Sequence, residues 1–247
     1  LLGPSLANPS RFAANKMTPE ILYGFYLARV RKQIKEIENR GRTVVLVGHS
    51  AGGWLVRRIV GEEDSVLGMV SLGTPHFPAR VNDATRGALQ NYDTELPGAY
   101  FKDRFYVSVG GTAVSAKGDA EKGDPALFAS DAYLAVTGDD KDSLDGRVGD
   151  GVVPLDFTLL QGSKQLILKG VYHSIQAPED YWYGGDNVID QWLPTVQKEI
   201  SNVVKGTSKK VSLSNVDISD SSVSDSTGRV SLLEDGVGPW TKAVFGD

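Results

Sequence analysis

A five-residue segment of the chain has the composition of a nucleophile turn. Gly48, His49, Ser50, Ala51 and Gly52 match the pattern Gly-x-Ser-x-Gly. A serine on a sharp turn between a strand and a helix exposes its hydroxyl for attack on a carbonyl carbon. The two glycines let strand and helix approach closely, and the new helix directs the Ala51 N–H at the reacting group. The segment therefore predicts Ser50 as a nucleophile and Ala51 as one donor of an oxyanion hole.

A serine nucleophile needs a base, and the chain has three histidines, His49, His76 and His173. His49 adjoins Ser50 on the same turn, so its ring should diverge from the hydroxyl, which favours a packing role. His76 follows a predicted strand and a proline and remains an alternative base. His173 comes just beyond residues 165–169, a predicted strand, at the sheet edge where ligand sites collect. We therefore predict His173 as the general base.

The imidazole in turn needs a carboxylate that fixes its tautomer and stabilises the imidazolium. Asp150 lies between two glycines and precedes a stiff Val-Val-Pro segment. An Asp-Gly pair is also a common turn, so this motif has a purely structural interpretation too. Four aspartates in a run of solvated charge compete for the role: Asp139, Asp140, Asp142 and Asp145. We predict Asp150 as the carboxylate that orients His173.

The elements that must position these residues alternate between helix and strand. Short apolar runs predict strands at residues 43–47, 66–72, 104–109 and 165–169. Capping residues and apolar spacing predict helices at 18–41, 54–61 and 124–134, and a helix after Tyr183 that Pro194 should kink or split. The first run lacks polar alternation, which predicts a strand buried on both faces. This alternation is typical of an α/β fold with a mostly parallel sheet and flanking helices.

The order Ser50, Asp150, His173, each after a separate strand, is the order of the α/β-hydrolase fold. Residues 45–54, 71–76 and 149–154 resemble its lipase-like branch, including GPI inositol-deacylase-like and plant and bacterial lipase-like proteins. The resemblance covers about residues 18–193. It implies a serine esterase or lipase that cleaves a lipid ester through an acyl-enzyme on Ser50, without metal or organic cofactor. Three alternatives stay open: an inositol deacylase, an acyltransferase, and a catalytically idle hydrolase fold kept as a binding protein.

The chain departs from the family pattern before the nucleophile. The family has leading strands there, and a loop after one of them supplies the second oxyanion donor. Those pieces need on the order of 60 to 80 residues. Only 42 residues precede Thr43, and they contain one good helix and no convincing strand. We therefore expect an N-terminally truncated hydrolase that turns over esters poorly.

Composition limits the partners. The chain has 31 acidic and 26 basic residues, a net charge of -5, and no basic cluster, which disfavours nucleic-acid binding. It has no cysteine, which excludes disulfides and thiol catalysis. No apolar run reaches the roughly 18 residues of a membrane span, so the expected lipid contact is peripheral. No feature of the sequence predicts a compartment.

Two further features concern domains and lipid contact. We predict a hydrolase domain at residues 1–200 and a polar, serine-rich tail at 201–247, disordered or loosely packed, with an edge strand at 211–218 as the alternative. Two apolar groups have both a lipid-binding and a packing interpretation. The first, a lid or acyl groove, consists of Leu127, Phe128, Tyr133 and Leu134, and the second, a lipid-facing cluster, of Tyr181, Trp182 and Tyr183.

Overall fold

The computed structural model describes residues 18–175 and 181–214. The elements in chain order are α1 (Pro19–Glu38), β1 (Val44–His49), α2 (Gly52–Ile59), β2 (Val66–Leu72), α3 (Ala88–Glu95), β3 (Phe105–Thr112), β4 (Val114–Ser115), α4 (Pro125–Thr137), a 3-10 helix (Lys141–Leu144), β5 (Val148–Gly149), α5 (Leu155–Thr158), β6 (Lys164–Lys169) and α6 (Asp186–Ser214). All four predicted strands are present, each within a few residues of its predicted bounds.

A four-stranded sheet of order β1-β2-β3-β6 forms the centre of the described residues. Each neighbouring pair is parallel, with Leu46 beside Met69 and Val109 beside Leu166 in the register. The carboxyl ends of all four strands therefore lie at one edge of the sheet. The predicted fold class, α/β with a mostly parallel sheet and flanking helices, is confirmed. Strands β4 and β5 form a separate antiparallel pair.

Helices cover both faces of the sheet. On one face, Leu27 and Ile34 of α1 and Ile59 of α2 pack on Met69 and Leu46. On the other face, α6 contributes Val188, Trp192 and Val196, which pack with Val70, Val107, Val109 and Leu168. A third, smaller cluster joins α4 to the β4–β5 pair. Burial of these apolar side chains holds the strand ends, and hence the loops that follow them, in place.

The prediction that the first strand is buried on both faces is wrong for β1. Val47 is 51% exposed, although Leu46 beside it is buried. Side chains alternate between the faces of a strand, so Val47 lies on the face of Val45, which borders α6. Helix α6 packs on β2 and β3, and β1 is an edge strand within the described sheet. Burial on both faces applies to β2 and β3 instead.

Two of the predicted helix starts, at Thr18 and at Asp124, are confirmed by their caps. Thr18 Oγ1 accepts the Ile21 N–H at 3.3 Å, and Pro19 stands at the first helical position of α1. Asp124 Oδ1 accepts the Ala126 N–H at 2.8 Å at the start of α4. Each cap satisfies a backbone donor that the helix itself leaves unpaired.

Helix α6 differs from the prediction in its continuity and its length. Pro194 was expected to kink or split it, and the helix is not split there. The helix also continues past residue 200, so residues 201–214 are helical, including the first part of the alternative edge strand. Residues 215–247 lie outside the described part of the chain, and the division into domain and tail stays a prediction. None of the helices in the described part of the chain combines the length and the apolar composition of a membrane span.

Candidate active site

Ser50 occupies a strained turn between β1 and α2. Its φ is +53°, a left-handed backbone conformation that residues other than glycine rarely adopt. Three hydrogen bonds hold it there: the Ser50 N–H donates to Leu72 O at 2.9 Å, and Ser50 O accepts from Thr74 Oγ1 at 2.8 Å and from the Gly53 N–H at 3.0 Å. Such strain persists only where the surrounding structure imposes it. Here the end of β2 imposes it.

Two glycines permit the close approach around this turn. A β-carbon on Gly48 would lie 2.5 Å from Gly52 O, and one on Gly53 would lie 2.0 Å from Thr74 Oγ1. A β-carbon on Gly52 would meet nothing within 4 Å. The expected role of glycine therefore holds on the strand side of Ser50. On the helix side Gly53 has that role, and its assignment to Gly52 is wrong.

Ala51 adjoins the start of α2 and is exposed. Its N–H has no acceptor among the described residues. An unpaired N–H at a helix N-terminus attracts negative charge. Ala51 thus has the position and the free donor that an oxyanion site requires.

The structure brings Asp150 and His173 together. His173 Nδ1 lies 2.8 Å from Asp150 Oδ2, and both side chains are buried. The backbone reinforces the pair, because the His173 N–H donates to Asp150 O at 2.9 Å. Asp150 Oδ1 accepts the N–H groups of Val152 at 3.0 Å and Val153 at 2.7 Å. With Nδ1 donating to the carboxylate, a neutral His173 has its proton acceptor at Nε2.

The competing aspartates lie elsewhere. Asp139 forms ion pairs with Arg80 and Arg147. Asp145 accepts the Gly118 N–H at 2.8 Å. None of the four competitors hydrogen-bonds to His173 in the described ranges. Ion pairs thus account for the Asp139 carboxylate, and a backbone contact accounts for that of Asp145.

His49 packs against His173. Its Nε2–H donates to His173 O at 2.8 Å, and the two ring centroids are 4.7 Å apart. Burial first, and then the neighbouring His173, lower the pKa of His49 to about 4. His49 is therefore neutral near pH 7, with a proton on Nε2.

His76 is a core histidine. Its Nε2 is hydrogen-bonded to Ser71 Oγ at 2.8 Å, and its carbonyl accepts from Arg57. Burial, and secondarily the Arg57 guanidinium, lower the pKa of His76 well below its ordinary value. In the described structure it has no hydrogen bond to Ser50, Asp150 or His173.

Ser50 and His173 follow strands whose carboxyl ends lie at the same edge of the sheet. Ser50 follows His49, whose ring faces that of His173. No hydrogen bond links the Ser50 hydroxyl to His173 in the part of the chain that the structure describes. Catalytic hydrogen bonds are often long before substrate binds.

Tyr183 is a site residue that sequence reasoning missed. Its hydroxyl donates to Asp150 Oδ2 at 2.9 Å and accepts the Gly111 N–H at 2.7 Å. The sequence placed Tyr183 in an aromatic cluster next to a helix, a pattern that indicates packing or a lipid contact. Nothing in the local pattern points to a carboxylate on another loop.

The other apolar candidates divide between core and surface. Tyr133 is buried, and Leu134 packs on the same cluster, so neither lines an open groove. Phe128 is 63% exposed, and Leu127 is half-buried. Trp182 meets the His49 ring edge-on at 6.3 Å. Among the described residues there is no group of three or more side chains suited to hold a metal ion.

The comparisons with known proteins differ between sequence and structure. No protein-family model matches the sequence, and no curated protein matches it. The chain is similar in structure to a mature lipase of Bacillus licheniformis, at 18% identity and a TM-score of 0.47, over 69% of this chain and 71% of that one. It is also similar to a monoacylglycerol lipase of Paleococcus ferrophilus, at 14% identity and a TM-score of 0.34, over 71% of this chain and 75% of that one.

Proposed function

We propose that this chain has the α/β-hydrolase fold and is a serine hydrolase of carboxylic esters. One observation carries the proposal: the buried Asp150–His173 pair lies at the same sheet edge as Ser50, which is held in a strained turn. The three residues follow different strands, in the chain order typical of that fold. An orienting carboxylate, a base and a strained serine are the parts that acyl transfer requires.

The proposed reaction proceeds through an acyl-enzyme. Ser50 Oγ attacks the ester carbonyl carbon while its proton passes to His173 Nε2. The Ala51 N–H donates to the developing oxyanion, and Asp150 stabilises the imidazolium. Collapse of the tetrahedral intermediate breaks the ester bond, and the alkoxide leaves with the proton from His173. Water then attacks the acyl group, its proton passes to His173, and Ser50 is released with that proton restored.

The proposed substrate is a lipid ester. Two apolar side chains near His173 are largely exposed, Ile175 at 63% and Tyr181 at 55%. Exposed apolar groups beside a site favour contact with an acyl chain or a lipid surface. The sequence resemblance supports the same class, and within it an inositol-linked acyl ester is the narrower candidate. Hydrolysis of a triacylglycerol emulsion and of an inositol-acylated glycolipid, measured side by side, distinguishes a general lipase from a deacylase.

The test of the proposal compares Ser50→Ala with Ser143→Ala on p-nitrophenyl butyrate. Ser143 is an exposed serine whose hydroxyl donates to Asp140 O, so its replacement should leave turnover unchanged. Ser50→Ala should reduce kcat by a factor on the order of a million if the three residues act as a unit. A fluorophosphonate probe should label the Ser50 peptide of the unmodified chain. Hydrolysis retained by Ser50→Ala would refute the assignment, and absence of both hydrolysis and labelling would indicate an idle hydrolase fold.

A further inference from the structure

We propose that Tyr183 is a positioning residue that weakens the hydrogen bond between Asp150 and His173. It thereby sets the acid limb of the pH profile of ester hydrolysis. The inference rests on the proposed function. The Tyr183 hydroxyl donates to Asp150 Oδ2, the same oxygen that lies 2.8 Å from His173 Nδ1. Two donors therefore share one carboxylate oxygen.

The direction of the Tyr183 hydrogen bond is determined by its surroundings. The Gly111 N–H, on β3, donates to the Tyr183 hydroxyl oxygen at 2.7 Å. That contact occupies a lone pair and leaves the hydroxyl proton for Asp150 Oδ2 at 2.9 Å. The Tyr183 carbonyl accepts Trp192 Nε1–H from α6 at 3.0 Å, and the ring is fully buried. The hydroxyl is thus held against Asp150 from both the sheet and the helix.

The hydroxyl remains a donor over the working range of pH. Burial first, and then the Asp150 carboxylate, raise the pKa of Tyr183 well above its ordinary value. Tyr183 therefore keeps its proton over the pH range in which Asp150 and His173 act.

A shared acceptor bonds each donor less strongly, because the charge on one oxygen is divided between two protons. A protonated His173 is then less stabilised by Asp150 than it would be by an oxygen of its own. Among the residues that the structure describes, the other titratable side chains near the pair are His49, whose ring faces that of His173, and Tyr133, whose hydroxyl accepts the Gly151 N–H. Neither donates to the carboxylate.

The experiment measures kcat/KM for p-nitrophenyl butyrate against pH in the 247-residue chain. Tyr183→Phe should move the acid limb to higher pH by roughly 0.5 to 1 pH unit, the shift that one net hydrogen bond represents. Site-specific replacement of Tyr183 by 3,5-difluorotyrosine, a stronger donor of almost the same shape, should move the limb to lower pH. A purely structural role predicts no such reversal of sign.

Tyr133→Phe is the matched control. The Tyr133 hydroxyl accepts the Gly151 N–H and donates to Val114 O, each at 3.1 Å, so it supports the Asp150 loop without contacting the carboxylate. Its removal should change stability and leave the acid limb in place. An equal shift in Tyr133→Phe would overturn the proposal.

A second measurement does not depend on turnover. In the Ser50→Ala chain, the proton on His173 Nδ1 should resonate further downfield when Tyr183 is replaced by Phe. Asp150 Oδ2 then accepts from His173 and no longer from Tyr183, so the remaining hydrogen bond is stronger. An unchanged resonance together with an unchanged acid limb overturns the role of Tyr183, while the proposed hydrolase function stands. If the chain hydrolyses no ester, the proposed function fails, and the resonance still decides the role of Tyr183. If Tyr183→Phe does not fold, the difluorotyrosine protein decides it through the opposite shift.

Discussion

Gly73 lies so close to Asp150 that a β-carbon on Gly73 would fall 2.7 Å from Asp150 Oδ2. The same β-carbon would fall 3.0 Å from His173 Nδ1 and 2.6 Å from the Tyr183 ring. Gly73 directly follows β2, and its N–H donates to Val109 O of β3 at 2.9 Å. The backbone at the end of β2 is therefore the wall against which the carboxylate, the imidazole and the phenol pack.

Gly73→Ala should disrupt this cluster. The added methyl group collides with all three side chains, and alanine is strained at the Gly73 φ of +56°. We expect a loss of about 2 to 4 kcal/mol in the free energy of unfolding and at least a hundredfold drop in kcat/KM. Urea unfolding and ester hydrolysis measure the two effects.

Gly41→Ala is the control for backbone strain. Gly41 has a φ of +68°, and a β-carbon there would meet nothing within 4 Å. This variant should lose only about 1 kcal/mol and keep its activity. Similar losses of activity in both variants would contradict the steric explanation.

Gly53→Ala and Gly52→Ala should differ, although the residues are adjacent. A methyl group on Gly53 displaces Thr74 Oγ1, whose hydrogen bond holds Ser50 O. We expect Gly53→Ala to destabilise the protein by about 1 to 3 kcal/mol and to lower kcat. Gly52→Ala has open space in α2 and should be as stable as the unmodified chain or up to about 1 kcal/mol more stable. Thermal unfolding checks the order, and a larger loss in Gly52→Ala would disprove the assignment of close contact to Gly53.

Asp150→Asn should inactivate the protein and also destabilise it. Each carboxylate oxygen accepts two donors, from Val152 and Val153 on one side and from His173 and Tyr183 on the other. An asparagine side chain has one oxygen and one NH2 group. In either orientation the NH2 group faces two donors that it cannot accept. We expect kcat to fall roughly ten-thousandfold and the free energy of unfolding to fall by about 1 to 3 kcal/mol.

Asp145→Asn tests whether a nearby carboxylate shares that role. Asp145 Oδ1 accepts the Gly118 N–H, a contact that asparagine retains. Both kcat and stability should stay within error of the unmodified chain. Inactivation by Asp145→Asn would show that His173 depends on Asp145, contrary to the assignment of Asp150.

His49 should make stability fall with acidification. Its folded pKa of about 4 is below the ordinary value of 6.5, so between these pH values the unfolded chain binds a proton that the folded protein does not. The free energy of unfolding therefore falls as pH drops through this window. His49→Gln removes the titrating imidazole, and the glutamine amide can still donate to His173 O. Between pH 7 and 4.5 the variant should lose roughly 2 kcal/mol less than the unmodified chain in urea unfolding.

His76 does not confuse this comparison, because it is present in both proteins and its contribution cancels. If the free energy of unfolding falls equally in both proteins on acidification, the folded pKa of His49 is not lowered. His49→Leu, which cannot donate to His173 O, should in addition lower kcat, whereas His49→Gln should largely preserve it.

The sequence by itself determined the features that depend on short spacing. Thr18 and Asp124 begin helices because a side-chain oxygen lies within reach of an N–H two or three residues on. The apolar runs predicted the four strands, and Gly48 and Ser50 located the turn between β1 and α2. Each of these depends on neighbours along the chain.

The tertiary structure decided which distant residues meet. Asp150 contacts His173, and Tyr183 joins them, because the order and register of the parallel strands bring their separate loops to one edge. The position of β1 at the edge of the described sheet depends on the strand order, and the exposure of Val47 depends on which strands α6 covers. Sheet order and helix packing are set by contacts between segments far apart in sequence, and no local pattern records them.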